Sequence, residues 1–342
     1  MRIWLSVMVY FLCLFPPLVV CFVGRRYQTR EKIVMHLCAF LPTFLFAAFR
    51  ASDVGTDTGM YEDYFAALEP REMFGLDPLY YLVQITMKQL GFGFHAFMAV
   101  QALFCWIGFS VGSARIDRAI PLMSVGILPV IMVDATFNGM RYGMAFAATA
   151  MLVPVLRSAR PMLRTALAFV PGMIHSSMLV LMLSTWSGLI LLALGAAVVA
   201  LTPGLSHIIE YFFYKGAEYS EMERSSWLSG IVPVIQISII LWIAKINKVK
   251  ISLGANLLSL ALVLAFVSVI IGFYSMSALR FIQVALFLLA IAVSDATRPG
   301  EQTARSDAIV LFLGLLGVGN FLRQIFLVGP AGNVFFVPYN FY

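Results

Sequence analysis

The chain has 342 residues, 61% of them hydrophobic and only 12% charged, with a mean hydropathy of +0.92. A soluble domain carries roughly 25% charged residues and a membrane span takes roughly 20 apolar ones, so the composition describes an all-α, polytopic membrane protein of about twelve crossings with no room for a separate soluble domain. The net charge of +6 comes from basic residues scattered over short loops, which excludes a nucleic-acid binder along with a disordered chain or a disulfide scaffold.

From the N-terminus, Ile3 to Val23 has no extended charged region before it and no small-residue cleavage site after it, so it reads as a first span and not a removable leader. Further apolar stretches lie near 33–49, 76–90, 93–111, 120–137, 142–156, 163–174, 176–185, 187–202, 228–244, 251–272, 278–294 and 308–326. Cys13, Cys21, Cys38 and Cys105 fall inside such stretches without a C-x-x-C pair, which predicts neither zinc nor a disulfide framework.

The loops rich in Lys and Arg should face the cytoplasm. They hold Arg25, Arg26, Arg30 and Lys32, then Arg115 and Arg118, then Arg157, Arg160 and Arg164, then Lys245, Lys248 and Lys250, and last Arg298 and Arg305. For the first two loops to share a side, only one of 76–90 and 93–111 can cross. The former is short, starts at Asp77-Pro78 and contains Lys88 and Gln89, so it is expected to be a re-entrant or interfacial helix on the outer face. For the later loops to share that side, 163–201 must cross three times, with breaks at Pro171-Gly172 and at Trp186-Ser187-Gly188. This arrangement puts 14 basic and 5 acidic residues inside, 9 basic and 12 acidic outside, and both termini outside.

The chain is thus expected to be one integral membrane domain, 1–342, with informative outer loops at 50–77 and 203–227. In the first, Arg50 is followed by Asp53, Val54, Gly55, Thr56, Asp57, Thr58 and Tyr61, a tight polar turn that gathers backbone donors and carboxylates in a small volume. Asp53 and Asp57 suit a base, acceptors for sugar hydroxyls or ligands to a hard cation. Equally, Asp53 suits an Asx turn tied to Arg50, and two carboxylates four apart are a poor metal signature. In the second loop, Tyr211, Tyr214 and Tyr219 stand among Glu210, Glu218, Glu221 and Glu223, a composition that fits sugar rings as well as an interfacial belt.

Two arginines are placed against the helix dipole. Asn138-Gly139 precedes Arg141, while Ser275 and Ser277 precede Arg280, so each is expected in the first turn of a span at its outer end. A helix N-terminus already carries about +0.5 charge and free N–H donors, so a guanidinium there favours a bound anion, and its fork fits phosphate oxygens. Snorkelling, or pairing with Asp134 or another outer acid, is the structural alternative. His175 follows a helix break and precedes Ser176-Ser177, which suits either a neutral base at the outer surface or a hydrogen-bonded structural imidazole.

Taken in order, Arg50-x-x-x-Val54-Gly55-Thr56-Asp57-Thr58-x-x-Tyr61, Asn138-Gly139-Met140-Arg141 before an Ala-rich helix, His175-Ser176-Ser177, the Tyr-rich loop, Arg280 and Pro338-Tyr339 resemble the EpsG-like branch of bacterial polysaccharide polymerases, relatives of the O-antigen polymerase Wzy. The resemblance runs from residue 50 to the end, with one departure: Tyr142 stands where that branch commonly has a polar residue. It implies a GT-C-like architecture in the bacterial cytoplasmic (inner) membrane with its active face periplasmic or extracellular. It also implies a glycosyltransferase that joins undecaprenyl-diphosphate-linked oligosaccharide repeats into O-antigen or exopolysaccharide. On that basis Arg141, Arg280 and Arg50 are expected to hold the diphosphate. His175, with Asp57 or Asp53 behind it, is expected to act as base, and Thr56, Thr58, Tyr61, Tyr211, Tyr214 and Tyr219 to bind substrate. No metal or cofactor is expected; the partners are the lipid-linked donor and acceptor, the bilayer and a chain-length regulator. Competing readings are an O-antigen ligase, a lipid-linked oligosaccharide flippase or other transporter, and a membrane O-acyltransferase. The last two are weakened because the charges sit at outer helix ends, no internal repeat is evident and there is no His-rich motif.

Overall fold

A computed structural model of the chain describes residues 2–55, 57–67, 77–156, 159–184, 186–201, 227–249, 257–272, 277–297 and 304–326. The described residues are almost entirely helical. In chain order they form α1 (Arg2–Gly24), α2 (Thr29–Ala48), α3 (Thr58–Ala67), α4 (Pro78–Gln89), α5 (Phe94–Ile116), a π-helical turn (Leu122–Ile127) running into α6 (Leu128–Phe137), and α7 (Met140–Leu156). After these come α8 (Pro161–Ile174), a 3-10 helix (Ser176–Ser184), α9 (Trp186–Leu201), α10 (Trp227–Ile246), α11 (Leu257–Gly272), α12 (Ser277–Ala296) and α13 (Ala304–Phe326).

Four of these helices, α1, α2, α5 and α13, are long and apolar enough to cross a membrane, and several shorter apolar helices accompany them. Large side chains such as Phe11, Val19, Val34, Ile190, Phe266 and Phe312 are exposed along them. In a bilayer such side chains meet lipid tails as apolar as themselves, so helix association depends on close packing instead. The contact of α5 with α7 shows how. A Cβ on Gly112 would lie 2.5 Å from the Ala150 carbonyl carbon, and one on Gly108 2.8 Å from the Ala147 Cβ, so the backbones meet where the small residues align. These pairings rise together along both helices, which makes α5 and α7 parallel. Phe146 of α7 stacks on Phe287 of α12 at 4.3 Å, and Phe109 of α5 meets the same ring edge-on, tying three helices into one core.

Contacts sort the helix ends into two sets. At one end Lys32 donates to the Asp117 carbonyl at 3.1 Å, Arg25 pairs with Asp307, and Arg305 lies 5.3 Å from the Trp242 ring centre. The end of α7 belongs there too, being parallel to α5, and Arg164 closes the short turn after it by donating to the Leu156 carbonyl at 2.9 Å. The five basic loops expected to share a side therefore flank one end of the bundle. Arg50, Thr58, Asp77, Asn138, Arg141 and His175 stand at the other.

α4 is short, twelve residues or about 18 Å of helix, and both of its ends return to α3: Tyr80 packs on Tyr61, and Lys88 donates to the Ala66 carbonyl at 2.7 Å. Three details differ from the sequence expectation. The 50–77 loop contains α3, whose buried Thr58, Tyr61 and Phe65 follow helical spacing. The 120–137 stretch opens with a π-helical turn, whose first N–H groups at Met123 and Ser124 go to the Asp117 carboxylate. The 176–185 stretch is a 3-10 helix of nine residues, which spans about 18 Å at that helix type's rise. The break before it does fall at His175, just after Pro171-Gly172, where Gly172 lets Leu179 pack back against α8.

Candidate active site

The first motif is a clasp. Gly55 takes φ +99, a left-handed conformation natural only to glycine, and a Cβ there would stand 2.3 Å from the Phe137 carbonyl oxygen. Thr58 is fully buried, its hydroxyl within hydrogen-bond distance of the Val54 carbonyl at 2.8 Å and the Phe137 carbonyl at 3.1 Å. The 54–58 turn is thereby fastened to the end of α6, just where the chain turns through Asn138-Gly139 into α7. Two motifs far apart in sequence are one structural unit.

Asn138 is held in turn by Asp134, accepting at 2.9 Å from the side-chain amide, and the other Asp134 oxygen accepts from Gln283 of α12 at 3.1 Å. This links the clasp to the helix whose first turn contains Arg280; the Arg280 side chain lies outside the described residues.

Arg141 stands in the first turn of α7, as its neighbours in sequence imply. Its anionic neighbour is Asp77 and not Asp134: Nη1 donates to Asp77 Oδ2 at 2.8 Å, with the guanidinium carbon 5.7 Å from the Tyr61 ring centre. The same Oδ2 lies 3.4 Å from Nδ1 of His175, and Oδ1 accepts the backbone N–H of Ser176 at 2.7 Å. Tyr142 packs its ring edge-on to the imidazole at 5.6 Å. Asp77, Arg141 and His175, from three separate segments, thus form one polar cluster.

Asp77 is the residue that sequence reasoning missed. An acid just before a proline at the start of a helix reads as an N-cap, yet the Asp77 side chain does not cap α4. Its carboxylate turns to the two motifs instead and is only 2% exposed. Burial would push this carboxyl up; the hydrogen bond and charge of His175, the Arg141 guanidinium and the Ser176 N–H outweigh it and hold Asp77 below the usual carboxylate range.

The other expected site residues fall differently. Asp53 is exposed at the tip of the turn, and Asp57 is half-buried with its carbonyl accepting from Tyr61 at the start of α3. Arg50 is fully buried with its guanidinium carbon 5.4 Å from the Phe137 ring centre and Nη1 2.5 Å from the Ala47 carbonyl. Tyr61 is buried beside Arg141. Thr56, Tyr211, Tyr214 and Tyr219 lie outside the described residues. Among the described residues, no group of three or more His, Cys, Asp or Glu gathers as metal ligands do.

No curated protein and no solved structure is significantly similar to this chain. A family model does match, over residues 33–341, taking in every motif described above, and the chain accordingly belongs to the EpsG family.

Proposed function

We propose that this protein is a polysaccharide polymerase that joins undecaprenyl-diphosphate-linked oligosaccharide repeats at the outer face of the bacterial cytoplasmic membrane, in a GT-C-like bundle of about twelve crossings. Membership of the EpsG family supports the polymerase class. The observation that carries the reading is the Arg141–Asp77–His175 cluster at the end of the bundle opposite the basic loops. Loops of that charge favour the cytoplasm, which supports an outer-side position for the cluster.

In the reaction, a hydroxyl at the non-reducing end of one lipid-linked repeat attacks the anomeric carbon of the growing chain. A glycosidic bond forms, the bond from that carbon to the diphosphate breaks, and undecaprenyl diphosphate leaves with the electron pair. Nε2 of His175 accepts the hydroxyl proton, with Asp57 or Asp53 as the second choice of base. Arg141, at a helix N-terminus whose dipole points the same way, stabilises charge developing on the leaving oxygens. Arg280, one turn before Gln283, supplies a second cation, and Arg50, buried at the end of α2, adds charge at the same end of the bundle. Thr56, Thr58, Tyr61, Tyr211, Tyr214 and Tyr219 are the residues proposed to bind substrate, and a chain-length regulator in the same membrane is the expected partner.

The test is turnover of purified protein in nanodiscs supplied with lipid-linked repeats. Wild type should build a ladder of polymers. Arg141→Ala should slow it about 10²- to 10³-fold, the usual loss for one electrostatic donor to a developing anion. His175→Ala should be far slower than Asp57→Asn; the reverse order would move the base to Asp57, and no ladder from wild type would refute the polymerase reading.

A further inference from the structure

Asp77 makes three contacts with groups that are far from it in sequence, and together they constrain two side chains at once. A carboxylate only accepts hydrogen bonds, so the imidazole nitrogen that faces it is the one that carries the proton. With Nδ1 turned to Oδ2 at 3.4 Å, the lone pair is left on Nε2. The Tyr142 ring packs against the imidazole at 5.6 Å, and the Ser176 N–H, from the next residue, is tied to Oδ1 of the same carboxylate. For Arg141 the carboxylate engages Nη1, while Nε is buried without a hydrogen-bond partner. Two more buried groups on the same segments also have none, Tyr80 Oη in the first turn of α4 and Ser177 Oγ beside His175. These are the marks of a guanidinium held still for an oxyanion to dock on its remaining edge.

We infer that Asp77 is a positioning residue: it keeps His175 in the Nδ1–H tautomer with Nε2 as the proton acceptor, and it holds Arg141 with the Nε edge of its guanidinium presented to a phosphate oxygen of the substrate. The inference rests on the polymerase reading for the identity of that phosphate. Asp77 is itself an anion on Arg141, so it competes electrostatically with the diphosphate while preparing the base. Removing its charge should therefore strengthen binding and weaken turnover.

The experiment uses full-length protein in nanodiscs. In Asp77→Asn, the affinity for undecaprenyl diphosphate should be equal to or tighter than that of wild type, while turnover of lipid-linked repeats falls about 10²- to 10⁴-fold, as for loss of a working general base. Affinity and turnover that decline together mean that Asp77 only holds the fold and overturn the inference, as does unchanged turnover. A second measurement reads the wild-type protein itself. With ¹⁵N-histidine, the wild-type protein gives signals from four residues, and His175 is identified by the signal lost in His175→Gln. Protonation at Nδ1 supports the inference, and protonation at Nε2 overturns it. If wild type neither binds undecaprenyl diphosphate nor polymerises, the polymerase reading fails while the tautomer still decides the role of Asp77.

Discussion

The two ends of this bundle each contain a buried aspartate that ties distant segments together, and the two are satisfied in opposite ways. Asp117, at the basic end, accepts from neutral donors: the N–H groups of Met123 and Ser124 at 3.0 and 2.8 Å, and the hydroxyls of Ser124 and Ser294 at 2.7 and 2.5 Å. The nearby Lys32 ammonium donates to the backbone carbonyls of Asp117 and Arg118. Burial pushes the Asp117 carboxyl up in spite of the four donors. Asp77 has a guanidinium, an imidazole and one N–H, and is held down. A carboxylate saturated by neutral donors is a latch, since nothing on it remains to be exchanged. One that shares its charge with a cation and a titratable ring is poised for chemistry. The proposed reaction uses the Asp77 end.

The largest contrast should appear in turnover. Arg141→Ala should lower the rate about 10²- to 10³-fold, whereas Asp117→Asn should leave polymer length and rate near wild type and lower the melting temperature. Its cost should be about 1–3 kcal/mol for a buried N–H left without its acceptor. A large activity loss in Asp117→Asn with unchanged stability would erase the distinction between the two ends.

Next comes the clasp that supports the site. Gly55→Ala forces an unfavourable left-handed alanine, a cost of about 1–2 kcal/mol before any clash, and it drives a methyl into the Phe137 carbonyl. Turnover should fall sharply while the protein still inserts into membranes, because the strain is confined to the turn beside Asn138 and Arg141. Wild-type kinetics would detach the clasp from the site.

The smallest effect is in acid. Because the folded state holds Asp77 below the usual carboxylate range, its contribution to stability is complete above a pH of about 4 and is lost as pH falls through the lowered value. Asp117 has the opposite sign: its contribution is complete below that range and is lost as pH rises through the raised value. Melting measured against pH should therefore lose its acid-side decline in Asp77→Asn but keep it in Asp117→Asn. The same decline in both variants would contradict the assignment.

Much of this architecture was legible because membrane insertion writes simple rules into sequence. Charge parity asks one of 76–90 and 93–111 to stay on one side, and Asp77-Pro78 and Lys88 mark the former, which is the shorter helix in the structure. Arg141 and Arg280 were found in first turns because Asn138-Gly139 and the flanking serines are strong start signals. The partner of Arg141 was not legible. Asp77 is 64 residues from Arg141 and 98 from His175, and its local context, an acid before a helix-initiating proline, offers a sufficient explanation of its own. α3 escaped notice for a related reason: its Thr58, Tyr61 and Phe65 stripe is too short to stand out within a polar loop. The fastening of Gly55 and Thr58 to Phe137 depends on backbone carbonyls, which no residue type announces.

The face that holds the cluster can be read directly. In a background lacking Cys13, Cys21, Cys38 and Cys105, single cysteines replace Asp53 at the tip of the clasp and Lys248 in a basic loop, and intact cells are treated with a maleimide that cannot cross the membrane. Labelling at position 53, with position 248 reached only after the cells are opened, is the result the outer-face polymerase requires. Labelling at 248 in intact cells, with 53 protected until lysis, would place the Arg141–Asp77–His175 cluster in the cytoplasm and contradict it.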